Sequence, residues 1–235
     1  MFFQITCLLK DLHLNKYYYI TQRRIHIVNK LIKLDYRLIS SQIIIILCAI
    51  LFSVYLGVFK AMPTFSIGIL FMMTFIFSTV PFNVSSYYKS CFYNMLPVST
   101  KKKVLARYCY LFINIFLSTL LSFIIFYYAG RKYSIDDSMG YYKIIFIIAI
   151  TCLSLCSVQY VIYYKIENIR NQQFAVWFRL IPAFALMFFV NIFSERASHF
   201  LYFNYFHLLI LTGISIFILS ICIALSFYIN AHKKN

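Results

Sequence analysis

Six apolar stretches, each close to the roughly 20 residues a helix needs to cross a bilayer at 1.5 Å per residue, constrain this chain more than anything else in it. They run approximately from Ile39 to Phe59, Pro63 to Val84, Tyr108 to Ala129, Ile144 to Tyr163, Phe174 to Phe193 and Phe206 to Ile229. Of 235 residues, 63% are hydrophobic and 12% charged, with a mean hydropathy of +0.80. Soluble domains are roughly half apolar and a quarter charged. The expected fold is therefore all-α: a polytopic membrane protein with six transmembrane helices and an N-terminal interfacial helix.

Charge sets the orientation. Lys and Arg number 22 against 6 Asp and Glu, but most of these cations flank apolar runs instead of forming a separable basic domain, so nucleic acid is not the expected partner. An even number of spans puts both termini on one face of the membrane. That face carries sixteen cations; the other carries Lys60, Arg131, Lys132, Lys143 and Arg196. The positive-inside rule makes the richer face cytoplasmic, with both termini inside. The outer face is left with the turn through Lys60 to Met62 and two longer loops, "GRKYSIDDSMGYYK" (130–143) and "SERASHFLYFN" (194–204). Neither is large enough for a receptor or catalytic domain. Tyr127, Tyr128, Tyr141, Tyr142, Tyr163, Tyr164, Tyr202 and Tyr205 fall at span ends, where an amphipathic ring suits the headgroup zone. Heavy use of Ile, Phe, Tyr, Lys and Asn is associated with AT-rich bacterial genomes, and the expected location is the bacterial cytoplasmic membrane.

Ahead of the first span, residues 25–38 read as an interfacial amphipathic helix. At 100° per residue Ile25, Val28, Ile32, Tyr36 and Ile39 share one face and Lys30, Lys33 and Arg37 the other, with Leu34 out of place. The six-span domain then occupies residues 39–235. Residues 1–24 fit neither a signal peptide nor a span, because charge interrupts the apolar run too soon. They read either as a native extension or as a translated ribosome-binding region, with Arg23 and Arg24 as AGG-AGG and Val28 as a GTG start.

The chemistry of an intramembrane enzyme needs ionisable groups facing one another at depth. Glu167 and Glu195 are expected in loops. His207 opens the sixth span eight residues after His199, without a carboxylate in register, and reads first as an interfacial histidine. Arg179 lies about five residues into the fifth span, near enough to the inner surface to snorkel. A contact with a transported substrate is the sharper alternative for both. Cys152 and Cys156 are one helical turn apart with no His or acid nearby, which favours packing over metal binding. The five glycines (Gly57, Gly68, Gly130, Gly140, Gly213) are too dispersed for a phosphate-cradling loop. No catalytic site, cofactor site or metal site is expected in the chain, and energy must come from a partner or an ion gradient.

The elaborate inner feature is "NMLPVSTKKKVLARY" (94–108). From Val84, apolar Tyr88, Cys91, Phe92 and Met95 follow helical spacing, so a short amphipathic helix is expected to leave the membrane and stop at Pro97. Ser99 or Thr100 can cap a new helix whose apolar positions Val104, Leu105, Tyr108 and Leu111 lead into the third span. Lys101, Lys102 and Lys103 then occupy the first turn, where the helix macrodipole disfavours a cation by about 0.3–1 kcal/mol. Anionic lipid, at about 1 kcal/mol per lysine near the surface, is enough to offset that; a docked acidic partner is the alternative.

Leu96, Pro97, Val98, Ser99, Lys101, Val104, Leu105, Arg107 and Tyr108 match an inner-loop pattern, and the loop resembles that of permease subunits of type-2 ABC exporters. "NKLIKLDYRLIS" (29–40) resembles the opening of such permeases. The resemblance implies that this loop touches a separate nucleotide-binding subunit, with Leu96, Pro97, Ser99, Lys101, Lys102, Lys103 and Arg107 as the coupling residues. It also implies that two permease copies, identical or not, line the path and that the partner's ATP drives export of an amphipathic or hydrophobic cargo such as a drug, peptide or lipid. The rival from another class is a membrane immunity or substrate-capture protein that binds without pumping.

Overall fold

The computed structural model describes residues 27–37, 43–60, 62–82, 97–133, 138–165, 172–195 and 205–232. Helix α1 covers 27–37. Helix α2 (Ile43–Val54) runs on into a π-helical turn, Tyr55–Phe59. Helix α3 (Pro63–Ser78) is followed by a 3₁₀ turn, Val80–Phe82. Then come α4 (Thr100–Tyr133), α5 (Ser138–Lys165), α6 (Gln172–Glu195) and α7 (Tyr205–His232). No strand occurs among the described residues.

Four described segments are long and apolar enough to cross a membrane: Pro63–Phe82, Thr100–Tyr133, Tyr142–Lys165 and Tyr205–His232. Ile43–Phe59, where the sequence led us to expect a first span, is a shorter apolar helix, and Leu180–Val190 is an apolar stretch within the 24-residue helix α6, where a fifth span was expected. The expected start of that first span, residues 39–42, lies outside the described residues, as does the doubtful extension 1–24.

Helix α3 is central. It packs against α2, α4 and α6, while α5 lies against both α4 and α7. The best apolar window of α3 is 67% buried and that of α7 only 17%, so α7 offers most of its surface outward. Phe71, Phe75, Tyr108, Phe126 and Tyr160 are the largest fully buried side chains of the main core, and Cys152 and Cys156 fill it as small hydrophobes. Small hydroxyls make several of the polar contacts between helices. Thr74 bonds Ser118, Ser154 Oγ meets Ser215 Oγ at 2.8 Å and Tyr108 Oη meets Ser226 Oγ at 3.0 Å. Such pairs satisfy polar groups where water is absent.

At the opposite end from the inner loop, the π turn leaves carbonyls without intrahelical donors, and the end of α4 supplies them. Tyr133 Oη donates to Val58 O and Phe59 O, each at 3.0 Å, and Lys132 Nζ to Val58 O at 3.2 Å. Gly57 makes this approach possible. A Cβ there would overlap Ile125 Cγ2 and crowd Ser66 Oγ at 3.1 Å, whereas one at Gly68 would meet nothing nearer than 3.6 Å. Gly57→Ala should therefore lower the thermal stability of the detergent-purified protein by about 1–3 kcal/mol, the usual cost of overpacking. Gly68→Ala should be tolerated, and unfolding curves of the two variants side by side check the contrast.

Several expectations need correction. Most of the outer loop 130–143 is helix: α4 continues to Tyr133 and α5 begins at Ser138. Glu195, expected in a loop, closes α6. Tyr163 and Tyr164, read as headgroup anchors, are buried, whereas Tyr127 and Tyr128 are exposed as expected. Leu105 is 44% exposed and not part of the packed face of α4. That face widens at its lower end because α1, α3 and α5 all press on it, which one helical stripe read in isolation does not show. Helix α1 likewise buries Leu31 and Asp35, one turn apart, and leaves Tyr36 exposed. Lys30, Lys33 and Arg37 face outward as the periodicity predicts.

Candidate functional site

Pro81 starts the site. Lacking an N–H, it cannot serve Phe77 O four residues back, so α3 ends and tightens into the 3₁₀ turn, with Phe82 N donating to Thr79 O at 3.1 Å. The carbonyls thus released are taken by side chains from two other helices. Tyr110 Oη of α4 donates to Phe77 O at 3.2 Å and Tyr160 Oη of α5 to Ser78 O at 2.7 Å. Arg107 of α4 donates through Nη2 to Pro81 O at 3.3 Å. Its guanidinium carbon also lies 4.1 Å above the centre of the Phe82 ring, a cation–π distance. Phe82 in turn packs on Tyr160, Tyr163 and Tyr164 of α5, with ring centroids 4.7, 5.4 and 5.1 Å away.

The inner-loop restart feeds directly into this cluster. Ser99 O accepts from Lys102 N at 3.0 Å and Lys103 N at 3.3 Å, so Ser99 holds the N-cap position and Thr100 begins α4. The three lysines occupy the first turn as expected, but they differ: Lys101 is exposed, Lys102 half-buried and Lys103 buried. Arg107, one turn beyond Lys103, is buried too. Pro97 is exposed. Leu96 and the amphipathic helix expected before it lie outside the described residues.

Helix α1 closes the other side. Leu31 packs on Ala106 with Ile27, Val28, Ile32, Leu34 and Val98 around them. Further along, the Tyr36 ring meets Tyr110 at 5.0 Å and its hydroxyl donates to Asn114 Oδ1 at 3.2 Å. Between these contacts stands Asp35, 0% exposed. Neither of its carboxylate oxygens has a hydrogen-bond partner among the described residues. Burial raises its pKa to about 7, opposed by the Arg107 charge. A carboxylate is costly to bury unless a cation or donor meets it. Arg107 thus joins α4 to α3 through Pro81 and Phe82, and its charge acts on Asp35 of α1 at the same joint.

The remaining candidates are elsewhere. Arg179 lies on α6, its side chain outside the described set. His207 is exposed in the first turn of α7. It precedes Ser226, which touches the cluster through Tyr108, by about 28 Å of helix at 1.5 Å per residue. His207 and the inner-loop residues are therefore at opposite ends of the bundle. The sequence reading passed over Asp35 as a site residue, together with Phe82, Tyr110 and Tyr164. A single acid in a helix otherwise charged by Lys30, Lys33 and Arg37 was the available signal. Among the described residues no three His, Cys, Asp or Glu side chains group to hold a metal.

A family model described as ABC-2 family transporter protein matches residues 30–232. The chain belongs to the ABC-2 transporter family. No curated protein and no solved structure matches it. The family region takes in most of α1 and every later helix, so both Asp35 and Arg107 belong to the ABC-2 domain, as do the inner-loop lysines. As an ABC-2 transporter with several apolar helices, the chain is a multi-pass membrane protein.

Proposed function

We propose that this ABC-2 protein is the membrane-spanning permease subunit of an ATP-driven exporter, coupled through its first inner loop to a separate ATPase. It has no catalytic or cofactor site of its own, and the ATP is bound and hydrolysed by the partner. In this reading six helices cross the bacterial cytoplasmic membrane with both termini inside, α1 lies at the inner surface, and a second permease copy completes the path. The cargo is amphipathic or hydrophobic, since the described interior offers Phe and Tyr surfaces and few charges.

One observation carries the coupling assignment. The restart at Pro97 to Lys101, exposed at Pro97, Ser99 and Lys101, leads within two turns to Arg107, which is bound to the end of α3 and whose charge acts on Asp35 of α1. A partner that pushes on the loop would move a rigid helix seated on three others and not a loose tether. Arg107, shared by α4, α3 and α1, is the residue through which these three elements respond together.

The test is retention of a P-loop ATPase encoded by a neighbouring gene during purification. Pro97→Ala combined with Lys101→Ala, Lys102→Ala and Lys103→Ala should reduce the recovered ATPase about tenfold, the equivalent of about 1.4 kcal/mol. Because Lys103 is buried, the pair Lys101→Ala and Lys102→Ala is run alongside and should show most of the loss with an unchanged elution profile. Undiminished recovery in both variants would remove the coupling role, and failure of the wild type to retain any ATPase would favour the immunity or capture reading.

A further inference from the structure

A groove of about 980 Å³ opens between α1 and the lower half of α4. Its polar end is formed by Asn29, Ser99, Lys101 and Lys102. Its walls are Val28, Ile32, Leu105, Cys109, Phe112 and Ile113, with Phe227 of α7 beside them. None of the lining residues is acidic; Asp35, one turn past Ile32, is buried away from solvent on the packed face of α1.

The groove is two-ended along a single stripe of α4. Lys101, Leu105, Cys109 and Phe112 follow one another at helical spacing, and the distance from Lys101 to Ile113 is about 18 Å at 1.5 Å per residue. Leu105, Phe112 and Ile113 are 44%, 42% and 38% exposed. Helix α4 has 34 residues, a rise of about 51 Å against a hydrocarbon core of about 30 Å, so its first turns extend into the headgroup zone and its middle lies among acyl chains. The lysines sit where the macrodipole is positive, and an anion beside them relieves both that dipole and their mutual repulsion. A soluble partner can reach the polar end, but it cannot follow the apolar stripe into the hydrocarbon.

We propose that this groove binds one anionic phospholipid, its phosphate held by Lys101 and Lys102 and one acyl chain laid along α4 from Leu105 to Ile113. The bound lipid wedges between α1 and α4, beside the joint made by Asp35 and Arg107, and ties the docking of α1 to the composition of the inner leaflet. The inference rests on the membrane placement of α4 in the proposed function and is independent of ATPase coupling.

Native mass spectrometry of the full-length protein released from detergent, with phosphatidylglycerol or phosphatidylcholine of identical acyl chains added, tests it. The wild type should retain one phosphatidylglycerol in preference to phosphatidylcholine. Lys101→Gln with Lys102→Gln should weaken that binding at least about tenfold, whereas Lys30→Gln with Lys33→Gln, which removes equal charge from the exposed face of α1, should change it less than about twofold. Ile113→Asn, at a partly exposed wall position, should shorten retention while leaving the headgroup preference. Equal losses in the two lysine pairs would reduce the effect to diffuse surface attraction and overturn the site, as would equal retention of the two lipids. Loss of lipid with ATPase recovery intact would support the site while counting against coupling through these lysines. A wild type found in the soluble fraction would defeat the membrane placement itself.

Discussion

Arg107→Gln should be the most damaging single exchange in the described protein, lowering stability by about 1.5–3 kcal/mol at pH 8, the cost typical of removing a buried hydrogen bond made by a charged group. Three things are lost together. The nearby cation that opposes the effect of burial on Asp35 disappears, the Pro81 carbonyl loses its 3.3 Å donor, and the guanidinium no longer covers the Phe82 ring. Arg107→Lys keeps the charge but not the planar group that stacks and donates at once, and should recover only part of the loss. A double-mutant cycle with Asp35→Asn isolates the electrostatic share. With Asp35 neutral, Arg107→Gln should cost distinctly less, leaving a coupling energy above the roughly 0.5 kcal/mol within which independent sites add. Chemical unfolding of the four proteins in one detergent measures this, and strict additivity would show that Asp35 and Arg107 do not act as a pair.

The second large effect is a dependence on pH that one carboxyl should dominate. Folded Asp35 keeps its proton up to about pH 7, while an unfolded aspartate releases it near its ordinary value of about 3.9. Between those values the folded chain holds more protons than the unfolded one, so stability falls as pH rises. Asp35's favourable contribution is complete below about 4, declines by at most about 1.4 kcal/mol per pH unit, and is gone above about 7. The groups around Asp35 are Arg107 and the phenols of Tyr36, Tyr110 and Tyr160, residue types that ordinarily keep one protonation state across that window. Asp35→Asn should flatten the slope and be no less stable than the wild type at pH 8. Melting curves from pH 4.5 to 8 on the two proteins check both statements. A wild-type slope that survives in Asp35→Asn would assign it to another group.

The two effects have a functional counterpart. If the inner loop transmits force through Arg107, variants that loosen the joint should retain the ATPase but transport less per ATP hydrolysed, because the loop surface is intact and only its connection to α1 and α3 is weakened. Loss at Lys101 and Lys102 should instead change recovery of the ATPase. The two classes of variant therefore separate docking from transmission.

Much of the architecture was legible from local pattern alone. The length of each apolar run and its flanking lysines, arginines and prolines place most helices to within a few residues, because a helix in lipid must satisfy its own backbone and so announces itself in one continuous stretch. The same local chemistry located the restart at Ser99 and Thr100 and the lysines of the first turn. The family, too, was readable from "LPVSTKKKVLARY".

What only the tertiary structure decided is which polar residues meet. Asp35 and Arg107 are 72 positions apart, and nothing in either helix taken alone says that α1 will lay its one acid against α4 rather than outward with Lys33 and Arg37. The same holds for Tyr163 and Tyr164. At a helix end they have the composition of membrane anchors, yet Pro81 turns Phe82 into them and they become core. Periodicity reports a helix's preference for one apolar side. How wide that side becomes depends on how many neighbours press on it, and at the base of α4 there are three.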